Sequence, residues 1–350
     1  MSSGWDVSIV EIFKPARLSP GDTVGIVSPA SPWAALCPRR LQRGIACLED
    51  MGFQVIQGDH TCARTGHTAG TIEDRVSDLH ALYRNPDVKA IIPTIGGYNS
   101  HQLLDELDFD LVAQNPKILL GYSDVTALQL GIFARTGLVT YLGPALLPQF
   151  GEYGGLLAYT RDSFTHVLMD PTPGGHPMQP SATWTDEILQ WDLEDSRARA
   201  LQAATGWKVL KRGQASGRII AGNMSTLLLL ASTPYWPDMT GAILCVEDDE
   251  TANVATVDRY LTQLRQMGVY RHIAALVVGR FPSATGFSAD DPLEAVLTIA
   301  TRGYSFPVVY DVDFGHTDPM MILANGTWAS LDADHRIEFK YTEPTVLLGE

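Results

Sequence analysis

The first half of the chain alternates short apolar runs with segments of helical periodicity, and this alternation limits the folds available to it. Apolar residues recur at helical spacing from Leu41 to Leu48. Thr71 and Asp74 form a capping box at the start of another helix. Five runs are typical of strands: "DTVGIVSPAS", "FQVIQG", "VKAIIPTIGG", "KILLGYS" and "LVTYLG". Because strands separated by such helices pair in parallel through right-handed crossovers, we predict a doubly wound α/β domain over residues 1–165.

Residues 166–216 differ from this pattern. The segment is rich in proline, glycine and polar residues, shows little strand or helix periodicity, and contains Trp184, Trp191 and Trp207. Because disordered linkers are poor in aromatic residues, we interpret it as a functional loop between two domains. Regular elements return afterwards and the end of the chain is β-rich, which predicts a second, mixed domain over residues 217–350.

Charge and composition narrow the class of partner. The formal net charge of the 350-residue chain is -15 and its pI is near 4.9. With no basic patch to offset it, this charge argues against nucleic acid or a membrane surface and favours a small-molecule partner. The N-terminus has no export signal and no run is long enough to span a membrane, so we expect a cytoplasmic protein. The four cysteines show neither disulfide nor zinc spacing, and we expect no metal and no cofactor.

Ser123 is the best candidate nucleophile. Ligands of parallel sheets bind beyond the carboxyl ends of the strands, and Ser123 directly follows the run "KILLGY". A serine on a tight turn from strand to helix exposes its hydroxyl beside free N–H groups of the helix. The match to G-x-S-x-G is partial, because Gly121 is present but Val125 occupies the second glycine position. The turn alone favours a simpler interpretation, in which Ser123 or Asp124 caps the helix.

A serine nucleophile needs a base and an acid that orients the base. Among nine histidines, His316 lies in a Gly-flanked turn directly after an apolar strand. Glu247 ends another apolar strand, where a carboxylate is costly unless it is paired. An alternative is a metal site, because four side chains in this turn could act as ligands: Asp311, Asp313, His316 and Asp318.

Two further positions are ambiguous on local grounds. The pair Gly96 and Gly97 follows a strand and could bring backbone N–H groups close to a substrate, or it could be a tight turn. It lacks the spacing of dinucleotide- and ATP-binding loops. Asn223 is either a substrate contact or the N-cap of a helix, and the sequence favours the cap.

Five motifs in order resemble the LD-carboxypeptidase family of serine peptidases: "TIGGYNSHQLLDELDFD", "ILLGYSDVTALQL", "IIAGNMSTL", "LCVEDDE" and "DFGHTDP". The resemblance implies that Ser123 is the nucleophile, His316 the base and Glu247 the orienting acid. It also implies an oxyanion hole formed by the backbone N–H groups of Gly97, or Gly96, and Asp124. The implied fold is a flavodoxin-like N-terminal domain followed by a mixed, barrel-like C-terminal domain, and the implied assembly is a homodimer.

The motif T-I-G-G-x-N-S is similar to that of the microcin C immunity branch, whereas typical LD-carboxypeptidases read closer to R-G-G-Y-G-A. Members of the microcin C immunity branch cleave the amide between an acidic aminoacyl group and a modified adenylate, and a loop tryptophan stacks on the base of the adenylate. Trp184 and Trp191 are the candidates here, with packing against the core as the alternative for each. The alternative function is release of D-alanine from muropeptides in cell-wall recycling. Less favoured are a metal-dependent hydrolase and a two-lobed binding protein without catalysis.

Overall fold

The structure is a computed structural model that describes residues 11–191, 193 and 195–348. Its strands are β1 (Thr23–Val27), β2 (Gln54–Gln57), β3 (Val88–Pro93), β4 (Ile118–Gly121), β5 (Thr140–Leu142), β6 (Pro177–Met178), β7 (Thr183–Trp184), β8 (Gln202–Ala203), β9 (Lys208–Lys211), β10 (Gln214–Asn223), β11 (Ile243–Glu247), β12 (Ala275–Gly279), β13 (Val308–Val312), β14 (Leu323–Asn325), β15 (Trp328–Asp332) and β16 (Glu338–Tyr341). Its α-helices are α1 (Trp33–Leu36), α2 (Pro38–Asp50), α3 (Ile72–Arg84), α4 (Phe109–Gln114), α5 (Thr126–Thr136), α6 (Ala158–Phe164), α7 (Met224–Leu229), α8 (Val254–Gln266) and α9 (Leu293–Ala300).

The N-terminal half forms the parallel sheet that the sequence predicts. Strands β1 to β5 pair in the order β2-β1-β3-β4-β5, which is the order of flavodoxin-like folds. β1 and β4 are buried along their whole length, as expected of parallel strands covered by helices on both faces. The predicted capping box is confirmed, since Thr71 Oγ1 accepts the N–H of Asp74 and the Asp74 carboxylate accepts the N–H of Thr71.

The second sheet contains eight strands in the order β6-β16-β15-β10-β11-β12-β13-β9. Strands β10 to β13 are parallel, whereas β15, β16, β6 and β9 join antiparallel, so the sheet is mixed as predicted. β10 belongs to both parts, because residues 214–218 pair with β15 and residues 219–223 pair with β11. Along the described residues, no helix combines the length and apolar character needed to cross a membrane.

β14 connects the two sheets. This strand comes from the C-terminal third of the chain, yet it pairs antiparallel with β5 and becomes the sixth strand of the N-terminal sheet, with Leu323 opposite Leu142. The side chain of Asn325 bridges the sheets, because its Oδ1 accepts the N–H of Ala221 in β10 at 2.6 Å while its Nδ2 donates to Thr140 Oγ1 at 3.4 Å. The carboxyl ends of β4 and β11 are thereby held in a fixed relation. The domain bounds 1–165, 166–216 and 217–350 remain a prediction.

Candidate active site

Ser123 lies on a strained turn between β4 and α5. Its φ is +63°, a left-handed value that is uncommon for a residue with a side chain. A short 3₁₀ turn, Ser123–Val125, leads directly into α5, and no side chain accepts a hydrogen bond at the start of either element. The simpler interpretation, in which Ser123 or Asp124 caps this helix, is therefore wrong. The turn instead holds Ser123 partly exposed at the carboxyl end of a buried strand.

His316 and Glu247 form a close, buried pair. The imidazole Nδ1 lies 2.6 Å from Glu247 Oε2, and the side chains are 11% and 1% exposed. Burial by itself lowers the pKa of an imidazole, but the charge and hydrogen bond of Glu247 outweigh it and raise the pKa of His316 to about 9. Gly315 makes the approach possible: its φ is +98°, and a Cβ atom there would lie 2.5 Å from Glu247 Oε2.

The pair faces the serine turn. The ring of His316 lies against the ring of Tyr122, the residue before Ser123, with 4.8 Å between the ring centroids. With Nδ1 committed to Glu247, the second imidazole nitrogen remains for another partner. The structure thus brings the turns that carry Ser123 and His316 together, although they come from different sheets.

The glycine pair packs against the same serine. A Cβ atom on Gly96 would lie 3.0 Å from the backbone N of Asp124 and 3.1 Å from Ser123 Oγ, so only glycine fits without displacement. Gly97 has a φ of +151°, and a Cβ atom there would lie 3.0 Å from the backbone N of Ser31. The backbone of Gly96 and the backbone of Asp124 therefore lie close to Ser123. An oxyanion hole formed by Gly97, or Gly96, and Asp124 remains a prediction.

Asn223 is the N-cap of α7, as the sequence favoured. Its Oδ1 accepts the N–H of Thr226 at 3.1 Å, and its Nδ2 donates to Asp248 Oδ1 at 3.1 Å. It is paired with Glu247 in the register of β10 and β11, so it lies beside the site. Burial and the neighbouring charge of Glu247 raise the pKa of Asp248 to about 6. A substrate contact by Asn223 remains a prediction.

The two loop tryptophans have different surroundings. The Arg280 guanidinium lies 5.1 Å from the ring of Trp184, and Arg280 also pairs with the buried Asp313 at 2.7 Å. The ring of Trp191 packs on the core, 4.3 Å from the Arg40 guanidinium. Both rings are partly exposed. Packing contacts therefore cover part of each tryptophan ring, and they are more extensive for Trp191.

The structure does not assemble the alternative metal site. The four side chains considered from the sequence turn to four different partners: Asp311 to Lys208, Asp313 to Arg280, His316 to Glu247 and Asp318 to Arg199. Across residues 11–191, 193 and 195–348, no group of three His, Cys, Asp or Glu side chains is arranged to hold a metal ion.

Known proteins match this chain over both halves. A profile of the LD-carboxypeptidase N-terminal domain matches residues 24–143, and a profile of the LD-carboxypeptidase C-terminal domain matches residues 216–331. The chain belongs to the LD-carboxypeptidase family. It is therefore a serine hydrolase, and the family expected from its motifs is confirmed.

Relatives in the LD-carboxypeptidase family differ in their activities. The microcin C7 self-immunity protein MccF of Escherichia coli is 34% identical over 322 residues, covering 92% of this chain and 93% of MccF. The murein tetrapeptide carboxypeptidase of Pseudomonas aeruginosa is 26% identical over 294 residues, covering 84% of this chain and 87% of that enzyme. A solved structure of MccF in complex with glutamyl sulfamoyl guanosine superposes with a TM-score of 0.89 at 34% identity, covering 96% of this chain and 100% of that chain. The predicted fold class is confirmed by this likeness.

Sequence reasoning missed a buried ionic network behind the LD-carboxypeptidase site. Arg199, 13% exposed, lies between Glu152 Oε2 at 2.7 Å and Asp318 Oδ2 at 2.8 Å. Gln149 Nε2 links Asp318 to the hydroxyl of Tyr122, at 3.4 Å and 3.2 Å. The network ties the loop segment 166–216 to the turns that carry His316 and Ser123. No motif spacing signals it, because its members come from separate segments of the chain.

Proposed function

We propose that Ser123, His316 and Glu247 form the catalytic triad of an amide hydrolase. The observation that carries the proposal is the 2.6 Å bond between His316 Nδ1 and Glu247 Oε2, in a turn packed against Tyr122 beside Ser123. A buried carboxylate that accepts from Nδ1 fixes the imidazole with Nε2 free to take the serine proton. The order Ser, Glu, His along the chain is also that of other α/β hydrolases.

In the proposed reaction, Ser123 Oγ attacks the amide carbonyl while His316 Nε2 takes the hydroxyl proton. The backbone N–H groups of Gly97 and Asp124 donate to the oxyanion. Collapse of the tetrahedral intermediate breaks the C–N bond, and His316 returns the proton to the leaving nitrogen. Water, activated by His316, then hydrolyses the acyl-enzyme and releases the acid and free Ser123.

The proposed substrate is an amide between an acidic aminoacyl group and a modified adenylate, and the proposed role is immunity or detoxification toward microcin C-type antibiotics. Structures of MccF in complex with glutamyl sulfamoyl guanosine and with aspartyl sulfamoyl adenosine support this class. The aromatic side chains of the loop also support it, because stacking on a base contributes roughly 1 to 3 kcal/mol. The murein tetrapeptide carboxypeptidase among the relatives favours a second candidate, release of D-alanine from an L,D-tetrapeptide.

A side-by-side assay separates the two candidates. The enzyme is offered aspartyl sulfamoyl adenosine, glutamyl sulfamoyl adenosine and an L,D-tetrapeptide, and kcat/KM is compared. We expect the sulfamoyl adenosines to be cleaved faster, whereas faster release of D-alanine would assign the second function. Ser123→Ala removes the nucleophile and is expected to lower turnover by at least about 10³-fold. Ser77→Ala, the same change at an exposed position of α3, serves as the matched control.

Replacing each loop tryptophan identifies the side chain that binds the base. Trp184→Phe and Trp191→Phe are compared by KM for aspartyl sulfamoyl adenosine, with Trp328→Phe, a 40% exposed position, as the control. We expect KM to rise in one of the two loop variants, with a smaller change in kcat. Equal KM values in the wild type and the three variants would argue against stacking.

We propose that this enzyme acts in the cytoplasm as a homodimer. Cys47, Cys62 and Cys245 are free thiols, which agrees with a reducing compartment. Light scattering in solution tests the dimer, and a monomer at micromolar concentration would contradict it.

A further inference from the structure

The side chain of Asp124 is buried and binds a neighbouring loop. It is 2% exposed, and its Oδ2 accepts the backbone N–H of Ser100 at 2.8 Å. In the same contact the Ser100 hydroxyl donates to the backbone carbonyl of Asp124 at 2.5 Å. Ser100 starts a short 3₁₀ helix, Ser100–Leu103, that directly follows the glycine loop. Asp124 therefore caps this neighbouring helix across the site.

The glycine loop is held on its other side as well. The Ser31 hydroxyl donates to the carbonyl of Gly96 at 2.6 Å. The buried Arg75 guanidinium donates to the carbonyls of Pro29 at 2.8 Å and Asn99 at 3.3 Å. Residues 96–100 are thus fixed between the loop after β1 and the start of α5. If the Asp124 side chain lost its bond to Ser100, the loop would be loosened only on the side that faces Ser123, where the Ser100 hydroxyl would still donate to the Asp124 carbonyl.

The two proposed oxyanion donors belong to the two segments that this contact joins. One is the N–H of Gly97 in the glycine loop, and the other is the N–H of Asp124 itself. Their separation is set by how closely the loop packs on the serine turn, where a Cβ atom on Gly96 would lie only 3.0 Å from Asp124 N. Displacing a group by about 1 Å in such a site can cost roughly 10² in rate.

We propose that the Asp124 carboxylate is a positioning residue that sets the spacing of the oxyanion hole through its bond to Ser100. The inference rests on the proposed function, because it assumes attack by Ser123. It also explains why position 124 holds an aspartate, because a carboxylate accepts a hydrogen bond from an N–H more strongly than a neutral oxygen does. An asparagine retains one acceptor for the Ser100 N–H, whereas alanine retains none.

The experiment compares Asp124→Ala and Asp124→Asn with wild type in two reactions. One is turnover of the better substrate from the side-by-side assay, and the other is labelling of Ser123 by a serine-directed phosphonate, whose P=O group occupies the oxyanion hole. For Asp124→Ala we expect kcat and the labelling rate to fall about 10- to 100-fold. KM and the pH midpoint of kcat/KM are expected to stay within 3-fold and about 0.3 units of wild type, because the contact touches neither substrate nor His316. Asp124→Asn is expected to recover most of both rates.

The matched control is Asp22→Ala, since Asp22 also accepts a backbone N–H, from Ser19 at 2.7 Å, but at the amino end of β1. We expect it to change stability without changing either rate. A folded Asp124→Ala with both rates within 2-fold of wild type, or with equal losses in kcat and substrate affinity, would overturn the inference. If Asp124→Ala does not fold, Ser100→Pro takes its place, because it removes the backbone N–H that the carboxylate accepts. Its reference is Ser100→Ala, which removes only the hydroxyl bond to the Asp124 carbonyl. We expect both rates of Ser100→Pro to be 3- to 10-fold below those of Ser100→Ala, and equal rates in the two variants would overturn the inference. Wild-type turnover in Ser123→Ala would instead refute the proposed function.

Discussion

Replacing Glu247 by glutamine removes one negative charge from the imidazole of His316 and preserves the shape of the side chain. The pKa of His316 is raised to about 9 from the ordinary value of 6.5, against a burial effect that lowers it. A rise of this size corresponds to about 3 kcal/mol of preference for the charged imidazole. Without the charge of Glu247, burial dominates, and we expect the pKa to fall to the ordinary value or below it.

The assay is the pH dependence of kcat/KM, because it reports the free enzyme. His316 acts as a base only when neutral, so kcat/KM of the wild type is expected to rise with pH through about 9. In Glu247→Gln the midpoint is expected near pH 6 to 7, while the plateau falls by about 10² to 10⁴ because the imidazole loses its orienting partner. The plateau loss is expected to be smaller than that of His316→Ala.

Glu250→Gln is the matched control, because Glu250 raises the pKa of His316 only weakly and from an exposed position. Its midpoint is expected to shift by less than about 0.5 units. An NMR titration of the His316 ring checks the same pKa values without catalysis. A midpoint that does not move in Glu247→Gln, or a larger shift in Glu250→Gln, would refute the pairing of charge and base on which the mechanism depends.

Three further predictions concern stability and packing. Because the pKa of His316 is raised in the folded state, the pair stabilises the fold fully below about pH 6.5, and this contribution is lost as the pH rises through about 9. Urea unfolding of wild type and Glu247→Gln should therefore differ most near pH 6 and converge above pH 9, and a constant difference would contradict the linkage. Gly315→Ala places a Cβ atom 2.5 Å from Glu247 Oε2, so kcat/KM is expected to fall about 10²-fold. The control is Gly286→Ala, which has a φ of +87° and open space around the new Cβ atom, and is expected to change stability alone. Equal kcat/KM values in the two variants would contradict the close approach of Gly315 to Glu247. Arg199→Met leaves the buried Asp318 without its ion-pair partner and leaves Glu152 with Arg40 alone, at 3.7 Å. This change is expected to cost about 3 to 5 kcal/mol in the free energy of unfolding, whereas Arg336→Met, at an 82% exposed side chain, is expected to have little effect. Similar losses in both variants would count against the network.

Local sequence patterns were sufficient for the features that depend on neighbours along the chain. The strand end before Ser123 and the strand end at Glu247 follow from apolar runs, and the caps at Thr71 and Asn223 follow from short side chains before helices. The parallel pairing of the first five strands follows from the alternation of strands and helices, whereas their flavodoxin-like order is implied by the resemblance to the LD-carboxypeptidase family.

Patterns of this kind do not encode partners that come from distant segments. The Asp124 side chain was expected to cap its own helix, but its carboxylate binds Ser100, 24 residues earlier. Arg199 meets Asp318, 119 residues later. Asp318 stands in the motif "DFGHTDP", but nothing in that motif indicates Arg199 as its partner. Such contacts depend on how loops pack after the sheets have formed, so only the structure supplies them.

The position of β14 has a consequence for biosynthesis. β5 is made early, but its outer neighbour, which begins at Leu323, leaves the ribosome only after about 180 further residues. At 5 to 20 residues per second, β5 waits roughly 10 to 40 s with one edge unpaired. An unpaired edge is a template for association with other chains, so β5 is open to such association until β14 has been made. Truncation before residue 323 would make that temporary exposure permanent.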